Sequence, residues 1–400
     1  MGDASKDSGA IPRAGLRVIV PLGTAQLIAW AASYYLPAIL AQPIARDLGL
    51  QSSFVFGALS GALAITGLLG PSIGAFIDRL GGRNVLVASN LLLALGLVIL
   101  GMANGVAMLL IAWAVLGVGM AAGLYEPAFA TLTRLYGLAA RRPITGITLV
   151  AGFASTVGWP ATAWLDAHYG WRAACFAWAA AQIVLALPLN LMVPRVTGPV
   201  PHHPEPETAE NGEGASEFKL MAAVAFVFAT TGFVTSGLSA LMPAILMRTG
   251  TEAGAAILAS TFVGPAQVVA RIVEAKWLIR YHPLISTRIA ALLHPLGAAV
   301  LFAGGPPMAG AFTIFYGAGN GILTIARGTL PLALFGPLGF GRRLGFIALP
   351  ARVSGAIAPL LLGVMLDLWG GAVIVLTTVL SLAAFVVLMS MRGRPGPSEV

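Results

Sequence analysis

Long apolar runs follow one another along the whole chain, most of them twenty residues or more, with short polar stretches between them. A helix needs about 20 predominantly apolar residues to cross a bilayer, and windows of about 19 residues locate such helices. On that rule the pattern predicts twelve spans, over residues 17–42, 54–77, 84–103, 106–135, 143–165, 172–193, 219–247, 253–278, 286–304, 308–334, 343–367 and 371–391. Length decides between helix and strand, because a strand of a membrane barrel has only about 10 residues of alternating polarity. The expected fold class is an all-α polytopic membrane protein with twelve transmembrane helices.

The polar stretches organise the runs. Gly74 to Arg83 reads Gly-Ala-Phe-Ile-Asp-Arg-Leu-Gly-Gly-Arg and places Asp78, Arg79 and Arg83 in a turn between the second and third runs. Gly81 and Gly82 allow a tight reversal there that bulkier residues resist. Near the middle, Pro194 to Glu217 is rich in Pro, His, Glu and Gly, the composition of a flexible linker. The expected domains are an N-terminal tail (1–16), a first six-helix bundle (17–193), a linker (194–218), a second six-helix bundle (219–391) and a tail (392–400). His202 and His203 in the linker read as solvated residues rather than metal ligands.

The two halves echo each other. Arg79, Arg141-Arg142 and Asp166 recur as Arg280, Arg342-Arg343 and Asp367, each 201 positions later, and Pro37-Ala-Ile-Leu returns at Pro243. The second copy of the turn, Ile-Arg-Tyr-His-Pro, lacks the aspartate, so the halves are expected to gate differently.

Composition agrees with the pattern. Apolar residues make up 58% and charged residues 10% of the chain, against about 25% charge in soluble domains. A net charge of +8 raises the question of nucleic acid, but the distribution of the cations answers it. Most of the 23 lysines and arginines, including Arg79, Arg83, Arg134, Arg141, Arg142, Arg280, Arg288, Arg342 and Arg343, fall on one side of the alternating spans. By the positive-inside rule that side is cytoplasmic and holds both termini. Cys175 is the single cysteine, which excludes an internal disulfide and a thiolate metal cluster. The polar first 16 residues precede a full-length span, so no cleavable leader is expected. The chain has no Asn-x-Ser/Thr sequon, which suits a bacterial plasma membrane.

The turn motif, Gly74 followed by Asp78-Arg79-x-Gly81-x-Arg83 after the second run, resembles the loop between helices two and three of the major facilitator superfamily. Gly152 to Pro160 is similar to its Gly/Pro-rich fifth-helix motif, and Gly170-Trp171-Arg172 to its outer turn before helix six. The resemblance implies two six-helix bundles related by a pseudo-twofold axis and a secondary transporter working by alternating access, not an enzyme. Helices one, four, seven and ten would line the central cavity. The Asp78 carboxylate would brace the inward-closed state against the N-terminal end of helix eleven, just after Arg343. Drug and sugar antiporters of this family carry an arginine in helix four, four residues before a glycine; here Trp113, ahead of Gly117, occupies that slot.

No nucleotide-binding loop or paired metal motif is present, and no cofactor is expected. The informative residues are charges inside the spans, Glu126, Arg271, Glu274, Arg327 and Arg352, because each is costly in hydrocarbon unless paired or wet. Glu126 and Arg327 are 201 positions apart and would face each other across the axis. They form an inter-bundle gate, or Glu126 binds the coupling proton, or Glu126 pairs with Arg79 or Arg83 within its own bundle. Arg271 has Glu274 three residues on, a spacing that fits a pair on one helix face as well as a substrate site. Arg352 lies about 13 Å deep at 1.5 Å per residue, with no local partner, and reads as substrate ligand or gate. A cation in helix eight with another in helix eleven resembles the oxalate:formate antiporters and related monocarboxylate carriers, where paired cations hold a carboxylate.

Gln26, Trp30 and Tyr34 share a helix face and either line the cavity or pack. His294 reads as a packing residue, and Asn320, between Gly319 and Gly321, as cavity lining or close helix packing. The expected substrate is a small organic anion, proton-coupled or exchanged, carried by a monomer in a lipid bilayer with no nucleic-acid partner. The rival reading is efflux of drugs, metalloids or other toxic small molecules.

Overall fold

The computed structural model describes residues 15–195 and 211–391. Residues 1–14 of the expected N-terminal tail, the expected C-terminal tail and most of the expected linker, with His202 and His203, lie outside the described residues. All regular structure among the described residues is helical. The first half runs α1 (Leu16–Ala32), α2 (Pro37–Asp47), α3 (Ser52–Leu80), α4 (Arg83–Gly101), α5 (Val106–Gly123), α6 (Tyr125–Tyr136), α7 (Arg141–Ala151), α8 (Ala154–Ala181) and α9 (Leu187–Leu191). The second runs α10 (Asn211–Arg248), α11 (Ala253–Thr261), α12 (Val263–Lys276), α13 (Pro283–Gly304), α14 (Ala309–Phe335), α15 (Phe340–Trp369) and α16 (Val373–Ser390). Helix α10 therefore starts within the stretch expected to be linker, and Glu217, bonded to Arg343 at 2.8 Å, anchors that extension.

Nine helical stretches among the described residues are long and apolar enough to cross a membrane. Two are too long for one crossing: Val106–Leu191, 86 residues, and Phe340–Ser390, 51 residues. A helix rises 1.5 Å per residue, so 86 residues would measure roughly 130 Å against a hydrocarbon core of about 30 Å. The chain turns back at Gly137 (φ 55°), Gly170 (φ 83°) and Gly370 (φ 56°), where an L side chain would be strained. Divided at these three glycines, the two long stretches give segments each short enough for a single crossing.

Helices α1, α3, α4, α5 and α8 pack into one bundle and α10, α12, α13, α14, α15 and α16 into the other. Leu68, Val184, Leu360 and Val386 lie on the outside, with 65% or more of each exposed, as a lipid-facing surface requires. Polar groups turned inward are satisfied between helices. Asn90 donates to Gln182 at 2.9 Å and accepts from Asn190 at 2.8 Å, tying α4 to the π-bulge at Gln182–Ala186 and to α9.

Several expected spans are broken, and the breaks set up the interior. The fourth is two helices, α5 and α6, meeting at an extended Leu124. Pro127 has no N–H to give the carbonyl of Gly123 four residues back. The Gln26 side-chain amide donates to that carbonyl instead, at 2.6 Å. The first span breaks at Ser33–Leu36, and the fifth between Ala151 and Ala154.

The bundles meet through α3 against α15, α6 against α15 and α14, and α7 against α12 and α14. Along α3 and α15 the contact is backbone on backbone. A Cβ on Gly341 would lie 2.6 Å from the Gly74 carbonyl oxygen, and one on Gly345 would strike Gly70 and Pro71. Glycines let the two helices approach to the point where no side chain separates them.

Candidate functional site

The ends of α3, α6 and α12 and the starts of α4, α7, α13 and α15 share one end of the molecule, which carries Arg79, Arg83, Arg134, Arg141, Arg142, Arg280, Arg342 and Arg343. At this arginine-rich end the halves are latched twice. Asp78 accepts from the backbone N–H groups of Gly341 and Arg342, each at 2.9 Å. The carboxylate thus caps the first turn of α15, where the orphan donors and the helix dipole favour an anion. The contact lies ahead of the position expected, because α15 begins at Phe340, before Arg343.

Gly74 and Gly81 serve this latch. Gly74 admits the α15 backbone, and Gly81 (φ 84°) reverses the chain after α3. Gly82, with φ −94°, is instead held small by Thr131, whose side chain a Cβ would strike. Arg79 is exposed and Arg83 half-buried, and neither forms an ion pair among the described residues.

The second latch was not foreseen, although the repeat of Arg141-Arg142 as Arg342-Arg343 marked its place. Arg141, opening α7, donates to the carbonyls of Tyr281 at 2.6 Å and Leu278 at 3.3 Å, and its guanidinium lies 3.6 Å from Glu274. Glu274, 1% exposed, is therefore paired across the interface rather than with Arg271 on its own helix. Next to this latch His282 accepts from the N–H of Leu284 and caps α13. Burial, and then the charges of Arg141 and Arg288, hold His282 below its ordinary value.

Deeper between the bundles is a cavity of about 90 Å³ whose lining includes Tyr34, Glu126, Phe129, Phe228, Arg327 and Arg352. Arg352 donates to Glu126 at 2.6 Å, and their side chains are 13% and 22% exposed. Glu126 is thus paired with neither Arg327 nor Arg79 or Arg83. The 201-residue symmetry placed Arg327 opposite it, but α6 packs more extensively on α15 than on α14, which brings Arg352 into reach.

Arg327 lines the same cavity with no ion-pair partner among the described residues, and its buried Nε has no hydrogen bond. Arg271 lies behind the cavity, against Gly152 at the break between α7 and α8. Its Nη2 reaches Thr324 at 3.4 Å, while Nε and Nη1 are buried without partners.

Aromatic rings build one wall. Trp30 contacts Tyr34 and Tyr125 with centroids 5.2 and 4.8 Å apart, and Tyr125 stacks on Phe129. The Arg352 guanidinium sits 5.9 Å from the Trp30 ring centroid, within cation–π range. Tyr34 reaches the cavity from the break after α1, whereas Gln26 is 1% exposed and occupied with Gly123. Asn320 accepts from Thr235 at 3.3 Å beside a smaller cavity that includes His294. His294 is buried and bonded to Thr377 at 3.0 Å. Trp113 is 1% exposed and packed in the first bundle's core.

Among the described residues, every hydrogen bond and ion pair between the bundles lies at the arginine-rich end or at the Glu126–Arg352 pair. The cavity is sealed on that side by the glycine contact of α3 with α15 and by Phe129 against Gly328 of α14. This geometry is a cavity between two bundles with one end closed. It holds no constellation of nucleophile and base, and among the described residues no cluster of metal ligands.

The comparisons agree with this architecture. The human organic anion transporter MFSD10 (TETRAN) superposes with a TM-score of 0.71 at 16% identity, over 93% of this chain and 99% of that one. FucP in its outward conformation gives 0.71 at 14%, over 93% and 97%. The proton:xylose symporter XylE bound to 6-bromo-6-deoxy-D-glucose gives 0.70 at 13%, over 94% of each chain. At these identities the likeness shows the fold. No curated protein matches the chain in sequence. The sequence profile of the Major Facilitator Superfamily matches residues 22–337, and with the two-bundle fold this places the chain in that superfamily as a membrane-embedded secondary transporter.

Proposed function

We infer that the protein carries a small organic anion across the membrane by alternating access. The observation that carries this reading is the charge of the cavity, where two arginines face one carboxylate and Arg327 has no anionic partner among the described residues. A guanidinium away from bulk water calls for an anion, and its fork matches a carboxylate. Arg327 and Arg352 with Trp30, Tyr34 and Asn320 form the candidate binding set, Arg271 stands behind it, and Gln26 braces the break that presents Glu126. The same fold carries an organic anion in one of the compared proteins and sugars with protons in two others, so the substrate is argued from this cavity.

In this reading the arginine-rich end is cytoplasmic, the described state faces outward, and the protein is a monomer in a bacterial plasma membrane. Residues 17–193 and 219–391 form the bundles, joined by 194–218, with twelve crossings and both termini inside. Gly74, Asp78, Arg79, Gly81 and Arg83 form the conformational motif. Inversion separates Glu126 from Arg352, which makes Glu126 the candidate carrier of a coupling proton.

A thermal-shift series on the purified protein with small carboxylates, inorganic anions and lipophilic cations tests the reading, since a ligand of the native state raises apparent stability. Stabilisation by a carboxylate, lost in Arg327→Ala and Arg352→Ala, is the expected result. Stabilisation only by lipophilic cations, unchanged in both variants, would replace it with efflux, which the aromatic wall would serve.

A further inference from the structure

We propose that Glu126 is a resident counter-anion that sets the charge of the substrate, so that the cavity accepts a monoanion with an apolar body and rejects a dianion. This rests on the anion reading above and narrows it.

The charged side chains lining the cavity are Glu126, Arg327 and Arg352, a net charge of +1. Glu126 already neutralises Arg352 at 2.6 Å. One guanidinium, Arg327, is left to be matched. Arg271 does not line the cavity and is turned to Thr324 and Gly152. An incoming monoanion at Arg327 brings the lining to zero, and its remaining surface meets the buried rings of Phe129 and Phe228.

A second carboxylate on the same ligand has two places to go. Against the rings it loses its hydration without a partner, a large cost for an ion. At Arg352 it must displace Glu126, which is then left half-buried beside a like charge. Either way specificity arises from an unfavourable contact with the wrong ligand, through a carboxylate the protein itself supplies.

The test is isothermal titration of the purified full-length protein with benzoate and terephthalate at pH 7, two ions that share a ring and differ by one ionised carboxylate. Like-charge juxtaposition costs several kcal/mol, so the wild type should prefer benzoate by about a hundredfold. Glu126→Gln raises the lining to +2 and should reverse the preference.

A wild type that prefers terephthalate would overturn the proposal and bring Arg271 into the site. Anion binding with a benzoate-to-terephthalate ratio unmoved by Glu126→Gln would overturn it while leaving the anion reading intact. Binding of neither ion to wild type would refute the anion reading and this inference with it. If Glu126→Gln does not fold, Arg327→Gln decides: it takes the lining to zero and must lose benzoate, and retained binding overturns the proposal.

Discussion

Gly74→Ala gives the sharpest test of how the arginine-rich end stays closed. The added Cβ would land on the Gly341 carbonyl, and the neighbouring atoms are backbone that cannot rotate away. A Cβ on Gly341 meets the Gly74 oxygen at 2.6 Å, whereas ordinary contact begins at 3.4 Å. The overlap from the Gly74 side is deeper still, so helices α3 and α15 must part by more than an ångström. Overpacking of this kind costs about 1–3 kcal/mol, and the cost falls only on the closed state. The gain in helix propensity, about 1 kcal/mol for Ala over Gly, is present in both states and cancels. The equilibrium should move toward the open arginine-rich end by about 5- to 150-fold.

The probe is Leu344→Cys on α15, at a position 2% exposed in the closed interface. It is placed in a Cys175→Ser background and followed by its rate of alkylation with a small maleimide. Gly61→Ala, on α3 with Gly74, is the control, because a Cβ there meets nothing within 4 Å. Equal alkylation rates for Gly74→Ala and Gly61→Ala would refute the account of the interface.

Two further outcomes follow from the geometry. Glu126→Gln and Arg352→Gln should each lower stability by less than the about 3–5 kcal/mol typical of a buried pair, because both side chains are partly exposed. In a double-mutant cycle read by unfolding in detergent, the double variant should cost less than the sum by at least about 0.5 kcal/mol, and strict additivity would mean that the pair is not energetically formed. For His282 the folded state favours the neutral ring. The unfolded chain thus binds the extra proton first, and the residue's contribution is complete above its ordinary value of 6.5 and shrinks as pH falls below it. His282→Asn keeps a capping oxygen but cannot titrate, so its unfolding midpoint should vary less than wild type between pH 8 and pH 5; parallel profiles would contradict this.

The spans were legible in the sequence because hydropathy over about twenty residues is a local property, and the reversals were legible where glycine accompanied polar residues, as at Gly81 and Gly170. The breaks inside spans were not. Pro127 announces a missing donor, but nothing near it in sequence names Gln26 as the group that answers. The charges behaved likewise. Glu126, Arg327 and Arg352 could be singled out by the cost of burying them, yet Glu126 and Arg352 are partners 226 residues apart. Internal symmetry suggested Arg327 because it relates helix positions, whereas pairing depends on which helices approach most closely. Glu274 shows the same limit, since the nearer cation, Arg271, was three residues away and the actual one came from the other half.

Both latches are centred on side chains of the first half, Asp78 and Arg141, and apart from the Glu274 carboxylate what these hold in the second half is main chain: the N–H groups of Gly341 and Arg342, the carbonyls of Leu278 and Tyr281. Main-chain atoms survive almost any substitution, so the second half can drift at these positions while the first cannot. The turn that reads Ile-Arg-Tyr-His-Pro can lose its aspartate and still keep its latch, since what it offers Arg141 are oxygens that every residue carries. A substitution scan across the two turns should therefore be lopsided, intolerant at 78 and 141 and permissive at 278 and 281.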